Sequence, residues 1–186
     1  MLIPLRLSSQ SDEQLMQRAS RGSDRAFEEL YNRYARRLQG FFVRRLGDDA
    51  DLAADFMHDT FLRLYAARET YHEGRNFRAW LYTIAYNLCR NHHRNQLTLV
   101  SDEGVDITDE ASIEVELDMK ELHDALREVL RKLPEPYAML FSLHYEEELT
   151  VPQIAQITEL PEGTVKSRLH KAMNIIKQNL KQYEHH

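Results

Sequence analysis

Residues 97–118, LTLVSDEGVDITDEASIEVELD, carry eight carboxylates and no basic side chain. The stretch lacks sustained helical spacing, and mutual repulsion of its charges favours an extended, solvated conformation. A structureless loop of this length is uncommon inside a compact fold. The stretch therefore divides the chain: an acidic flexible linker is expected over residues 97–118, between one module at 10–96 and a second at 119–184. Fully extended at about 3.3 Å per residue, the linker spans roughly 70 Å, so two modules joined by it could occupy well-separated sites.

Composition allows one larger or two small cores. The 186 residues are 42% hydrophobic and 29% charged, ordinary values for a soluble protein. Cys89 is the single cysteine, so no internal disulfide framework is possible. No stretch approaches the roughly 20 apolar residues needed to cross a bilayer, and MLIPLRL is interrupted by Arg6 too early for a secretory core. A reducing, cytoplasmic location is expected. The net charge of -6 is unevenly spread: residues 1–96 hold 15 Arg, no Lys and 12 acidic groups, a net +3, while residues 119–186 carry a net -1. The acidity belongs to the linker and does not exclude a nucleic-acid partner for either flank.

In the second module, LTVPQIAQITELPEGTVKSRLHKA (149–172) reads as two helices and a tight turn. Thr150 and Gln153 form a capping-box pattern. Val151, Ile154, Ala155 and Thr158 suit a buried face, and Glu159-Leu160-Pro161 interrupts the pattern, with Pro161 placed to open a new helix. Val165, Leu169, Ala172, Ile176 and Leu180 then form one stripe. Burying that stripe turns Gly163, Lys166, Ser167, His170, Lys171 and Asn174 outward, a polar and cationic face without carboxylates. A recognition helix in a major groove needs this mixture, donors for base edges and cations for phosphates. A solvated surface favoured by the helix dipole is the plainer alternative.

The first module reads as helical throughout. Ser11 with Gln14 and Ser23 mark starts, Phe27, Leu30, Tyr31, Tyr34 and Leu38 recur at helix spacing, and Gly47-Asp48-Asp49 ends the long helix. In ADLAADFMHDTFLRLYAA, Leu52, Phe56, Thr60 or Phe61, and Leu64 share one face, with Asp51, Asp55, Asp59 and Arg63 on another. These residues are too incomplete a set for a catalytic or metal site. NFRAWLYTIAYNLCRNHHRN has a core stripe of Phe77, Leu81, Ile84 and Leu88. Trp80, Tyr82, Thr83, Tyr86, Asn87, Arg90, Asn91 and Arg94 are left for its flanks and exposed side. Aromatics with Asn and Arg suit single-stranded bases, which stack at about 1–3 kcal/mol each on aromatic faces; packing against neighbouring helices is equally open for Tyr82. Cys89, His92 and His93 lack a fourth ligand for a closed zinc site, leaving a core thiol beside two solvent- or phosphate-facing histidines.

Four blocks in order resemble the sigma-70 family of bacterial RNA polymerase sigma factors, specifically the small extracytoplasmic-function group that keeps regions two and four. They are DEQLMQRASRGSDRAFEELYNRY, AADFMHDTFLRLY, NFRAWLYTIAYNLCRNHHR and LPEPYAMLFSLHYEEELTVPQIAQITELPEGTVKSRLHKAM. The resemblance runs from about Asp12 to Leu180. It implies an all-α protein with a region 2 helical bundle and a region 4 helix-turn-helix domain, no cofactor and no catalytic residues. Its partners would be core RNA polymerase, through the clamp helices and flap, promoter DNA, and an anti-sigma factor.

By motif position the resemblance implies polymerase contacts at Asp55, His58, Asp59, Phe61 and Leu62. The loop YHEGRN and the helix after it would capture the melted -10 strand, with Asn87 in the pocket of a flipped base and Trp80, Arg90 and Arg94 alongside. Lys166, Ser167, His170 and Lys171 would read the -35 element, while Thr164 and Arg168 hold phosphates. The acidic linker would run through the basic RNA-exit path of the polymerase. Two departures stand out: Glu159 where the family turn often carries Gly, which implies strain if φ is positive, and Thr158 where a Leu is usual. The rival classes are a duplex-reading helix-turn-helix regulator that works without polymerase and a helical enzyme, for which no convergent catalytic set is found.

Overall fold

The computed structural model describes residues 7–97 and 119–183, and the chain divides into two compact units, Met1–Gln96 and Leu97–His186. The expected acidic linker lies outside the described residues save Leu97, as do the first six residues. Every regular element among the described residues is helical.

The first unit contains α1 (Asp12–Ser20), α2 (Asp24–Arg45), α3 (Ala50–Ala66) and α4 (Phe77–Leu97), with short 3-10 turns at Leu7–Ser9 and Arg68–Thr70. The start signals act as the sequence reading expects. The Ser11 hydroxyl accepts from Gln14 N at 3.2 Å while the Gln14 side chain accepts from Ser11 N at 3.0 Å, a reciprocal capping box. Ser23 caps α2 through Ala26 N, and Asp49 caps α3 through Leu52 N at 2.9 Å. Between α2 and α3 the chain reverses through Gly47 and Asp48, both at positive φ, a conformation open to Gly and tolerated by Asp.

Leu30, Leu38, Phe41, Phe42, Leu64, Phe77, Leu81 and Tyr82 are fully buried. Edge-to-face rings knit the helices: Tyr34 on Phe77, Phe41 on Tyr82, and Phe42 on Phe56. The first turn of α1 fastens two other helices. Asp12 accepts from the Arg33 guanidinium at 2.9 Å and from the Tyr34 hydroxyl, and Glu13 accepts from Phe77 N, the first residue of α4, at 3.3 Å. Arg33 also donates to the carbonyls of Leu7, Ser8 and Gln10, drawing the opening turn onto α2.

Two expected faces shift. On α3 the buried set is Ala53, Met57, Thr60, Phe61 and Leu64, whereas Leu52 and Phe56 are half-buried. Thr60 tolerates burial because its hydroxyl donates to the Phe56 carbonyl at 2.7 Å. On α4, Phe77, Leu81 and Leu88 are buried as expected, but so are Ala79, Trp80, Tyr82, Ala85 and Cys89, while Ile84 is half-buried. Partners reach this helix from several directions, Tyr71 onto Trp80, Phe41 onto Tyr82 and Phe56 onto His92. Its buried arc is therefore wider than one stripe.

The second unit contains α5 (Met119–Lys132), α6 (Glu135–Phe141), a π turn at Ser142–Glu146, α7 (Val151–Thr158) and α8 (Glu162–Tyr183). Val129, Leu133, Ala138, Ala172 and Ile176 form a buried cluster joining α5, α6 and α8. Val165 and Leu169 continue the stripe of α8. On α7, Ile154 and Thr158 are buried together with Ile157, while Val151 and Ala155 are half-buried. The Thr158 hydroxyl donates to the Ile154 carbonyl at 2.7 Å, so no polar atom is stranded. Gln153 reaches back to Thr150 N at 2.8 Å to cap α7. The turn places Glu159 at φ 59 and ψ 26, left-handed. Pro161 stands one residue before α8, its carbonyl accepting from Val165 N at 3.0 Å.

Candidate nucleic-acid interface

The buried stripe of α8 dictates its opposite side. Gly163, Lys166, Ser167, His170, Lys171 and Asn174 are all exposed, and Thr164 and Arg168 are half-buried at the margins. Base-edge donors and cations thus share one solvent face, bordered by two groups suited to phosphate. One carboxylate does flank this face: Glu162, in the first turn, lies 3.9 Å from the Lys166 ammonium. The Lys171 ammonium lies 5.5 Å from the centre of the Tyr137 ring, a cation-π contact with α6 that restrains the long side chain.

On α4, Arg90 and Arg94 are exposed and Asn87 half-buried. The Arg90 guanidinium stands 5.7 Å from the Tyr86 ring centre. Trp80 differs from the reading that left it on the flank, being only 6% exposed. Its ring stacks on Tyr71 with centres 5.5 Å apart and planes 28° apart, and the Arg75 guanidinium lies 4.7 Å from its centre. Tyr82 is fully buried against Phe41, so packing claims that ring. His92 and His93 are half-buried, not solvent-facing. Burial and the Arg45 charge lower the His93 pKa, against a hydrogen bond to the Arg45 backbone that raises it. Among the described residues no three His, Cys, Asp or Glu side chains converge as a metal site.

On α3, Asp55, His58 and Leu62 are exposed, Leu62 at 69%. Asp59 accepts two hydrogen bonds from Arg63 Nε at 3.1 Å, and His58 Nε2 is 3.5 Å from the Tyr31 hydroxyl. Phe61 is 4% exposed, held between Phe27 and Tyr31. Its side chain shapes this surface from beneath and does not present itself to a partner.

Sequence reasoning gave no individual role to three residues of these surfaces. Tyr65 is exposed one turn beyond Leu62, its hydroxyl donating to Asp24 at 3.0 Å and its ring under the Arg68 guanidinium at 4.0 Å; helical spacing from Leu62 was the available signal. Tyr71 and Arg75 organise the loop before α4; the family resemblance marks that loop as a whole, but no periodicity singles out either side chain.

The family model for sigma-70 region 2 matches residues 30–97, and that for sigma-70 region 4 matches residues 123–175. The RNA polymerase sigma-H factor of Pseudomonas aeruginosa is 30% identical over 182 residues, covering 91% of this chain and 94% of that protein. The chain belongs to the sigma-70 family. Within it, relatives of the extracytoplasmic-function group include the sigma-E factor of Haemophilus influenzae, 28% identical over 91% of this chain and 95% of its own length. The sigma factor SigW of Bacillus subtilis is 26% identical over 89% and 95%. Among solved structures, CnrH in complex with the cytosolic domain of CnrY aligns with a TM-score of 0.65 at 23% identity, over 89% of this chain and 94% of that one. The sigma factor RpoE bound to the anti-sigma factor NepR from Bartonella quintana gives 0.65 at 24%, over 83% and 96%. These two likenesses show the fold. In this sigma-70 family chain α3, the loop and α4 fall within region 2, and α7 and α8 up to Ile175 within region 4.

Proposed function

We infer that this chain is an extracytoplasmic-function RNA polymerase sigma factor. It binds core polymerase, recognises the -35 and -10 promoter elements, melts the -10 region and starts transcription. It is not an enzyme; bond formation belongs to the polymerase. The observation that carries this reading is the match of both regions in family order, 30–97 and 123–175. Residues 10–96 are the polymerase and -10 module, residues 119–184 the -35 module, and residues 97–118 the acidic tether that enters the RNA-exit path. No helix among the described residues is long and apolar enough to cross a membrane. We place its work in the cytoplasm, with chromosome and polymerase.

Asp55, His58, Asp59 and Leu62 meet the clamp helices, with Phe61 buried beneath them holding α3 in place. Asn87 receives a flipped base of the -10 strand, and Arg90 and Arg94 neutralise its phosphates. Flipping costs a few kcal/mol of unstacking, offset by that pocket. The exposed face of α8 supports -35 readout: Lys166, Ser167, His170 and Lys171 address base edges, and Thr164 and Arg168 address phosphates. The RpoE neighbour is bound to an anti-sigma factor, and a partner of that kind is proposed here. A duplex-reading regulator independent of polymerase is not favoured, because region 2 would then have no role.

Gel shifts on duplex and forked promoter DNA, with and without core polymerase, test the reading. Weak binding alone and a stable complex only with core is the expected outcome. Tight sequence-specific duplex binding without core, unchanged on adding it, would refute the reading.

A further inference from the structure

The loop joining the 3-10 turn at Arg68–Thr70 to α4 exposes His72, Glu73 and Gly74, while Tyr71 beside them is 8% exposed. One side chain organises it. The Tyr71 hydroxyl donates to the Arg75 carbonyl at 2.6 Å, across the loop's mouth. Inside that closure Arg75 N donates to the His72 carbonyl at 3.1 Å, completing a β-turn whose third residue, Gly74, has φ 87, the position type II turns reserve for Gly. The Tyr71 ring meanwhile stacks on Trp80, and the Arg75 guanidinium lies over the same indole. The far end is fixed too, since Asn76 Oδ1 accepts from Ala79 N at 2.8 Å and caps α4. Burial first, then the Glu13 charge, pushes the Tyr71 phenol up to about 12, with Arg75 opposing. The hydroxyl therefore keeps its proton, and its donor role, at any physiological pH.

We propose that Tyr71 is a positioning residue for strand capture: its hydroxyl latches the 71–76 loop, and its ring locks Trp80, so that the loop meets the unpaired -10 strand already ordered. The proposal rests on the -10 reading of this loop. Ordering a free loop at the moment of binding consumes interaction energy, and a loop ordered beforehand spares it. A phenylalanine would keep the stack and lose the latch.

The experiment compares holoenzyme carrying Tyr71→Phe with the unsubstituted form. The probes are a duplex -35 fragment and forked promoters that vary each unpaired -10 base in turn. Loss of one hydrogen bond should weaken forked-promoter affinity roughly two- to tenfold and flatten its base preference. Affinities for core and for the duplex fragment should hold. In Tyr71→Phe/Arg75→Ala the loss should fall short of the product of the single losses, because both act on one loop. Unchanged fork affinity and preference, or an equal fall in fork and core affinities, would overturn the proposal; so would strictly multiplicative losses. If unsubstituted holoenzyme shows no preference for fork over duplex, the -10 reading itself fails and takes the proposal with it.

Discussion

Glu159 should be replaceable by glycine with a gain in stability. It occupies the turn between α7 and α8 at φ 59 and ψ 26, and its side chain is exposed. An L-residue in that left-handed region carries a cost of about 1–2 kcal/mol that Gly avoids. Glycine adds freedom to the unfolded chain, which returns about 0.4–1 kcal/mol. The backbone balance for Glu159→Gly is a stabilisation of about 0.8 kcal/mol at the middle of those ranges, or roughly 3–6 °C in the melting midpoint of a unit this small, with relief of the charge at the α7 C-terminus added to it. Glu159→Ala is the control. It removes the charge at the α7 C-terminus, worth about 0.3–1 kcal/mol, but keeps the Cβ and the backbone strain. Calorimetry of the two variants and the unsubstituted chain, at one pH and salt concentration, decides it. Equal midpoints for Gly and Ala, or a lower midpoint for Gly, would refute the strain argument.

Asn87→Ala should impair promoter opening, followed by permanganate reactivity of unpaired thymines, more than it impairs core binding; equal losses would count against the flipped-base pocket. Arg168→Ala should weaken promoter binding at all -35 sequences and reduce the salt dependence by about one phosphate contact, whereas His170→Ala should alter the preferred bases, by about 1–3 kcal/mol at one position; selection from a random -35 library separates the two. His93 titrates below its usual value in the folded state, so the unfolded chain takes up that proton first. Its contribution is present above about pH 6.5 and is lost as the pH falls towards the lowered folded value. Urea midpoints at pH 7.5 and 5.5 should show part of that loss removed in His93→Gln, and an undiminished pH dependence would exclude His93 as its source.

The helices, their caps and the outward face of α8 were legible because each is written locally. Ser11, Ser23 and Gln153 act on neighbours three residues away, and a stripe of period 3.6 assigns both sides of a helix that packs along one face. That logic weakened on α4, where several elements converge and Trp80 and Tyr82 are buried despite lying off the stripe. On α3, Phe61 stood where the family resemblance implied a contact, but Phe27 and Tyr31 from α2 enclose it. The Tyr71 hydroxyl bond to Arg75 and the Glu13 bond to Phe77 depend on how loop and helix termini meet in space. The second of these joins residues 64 positions apart, beyond the reach of any spacing rule.

The two adjacent carboxylates that open α1 have a practical consequence. Region 2 of the family begins to match only at residue 30, yet Asp12 and Glu13 clasp α2 and the first residue of α4 from outside that span. A fragment trimmed to the shared segment would keep each residue assigned to strand capture while losing the clasp under the helix that carries them. The edge of the family match is, for this protein, a poor place to cut.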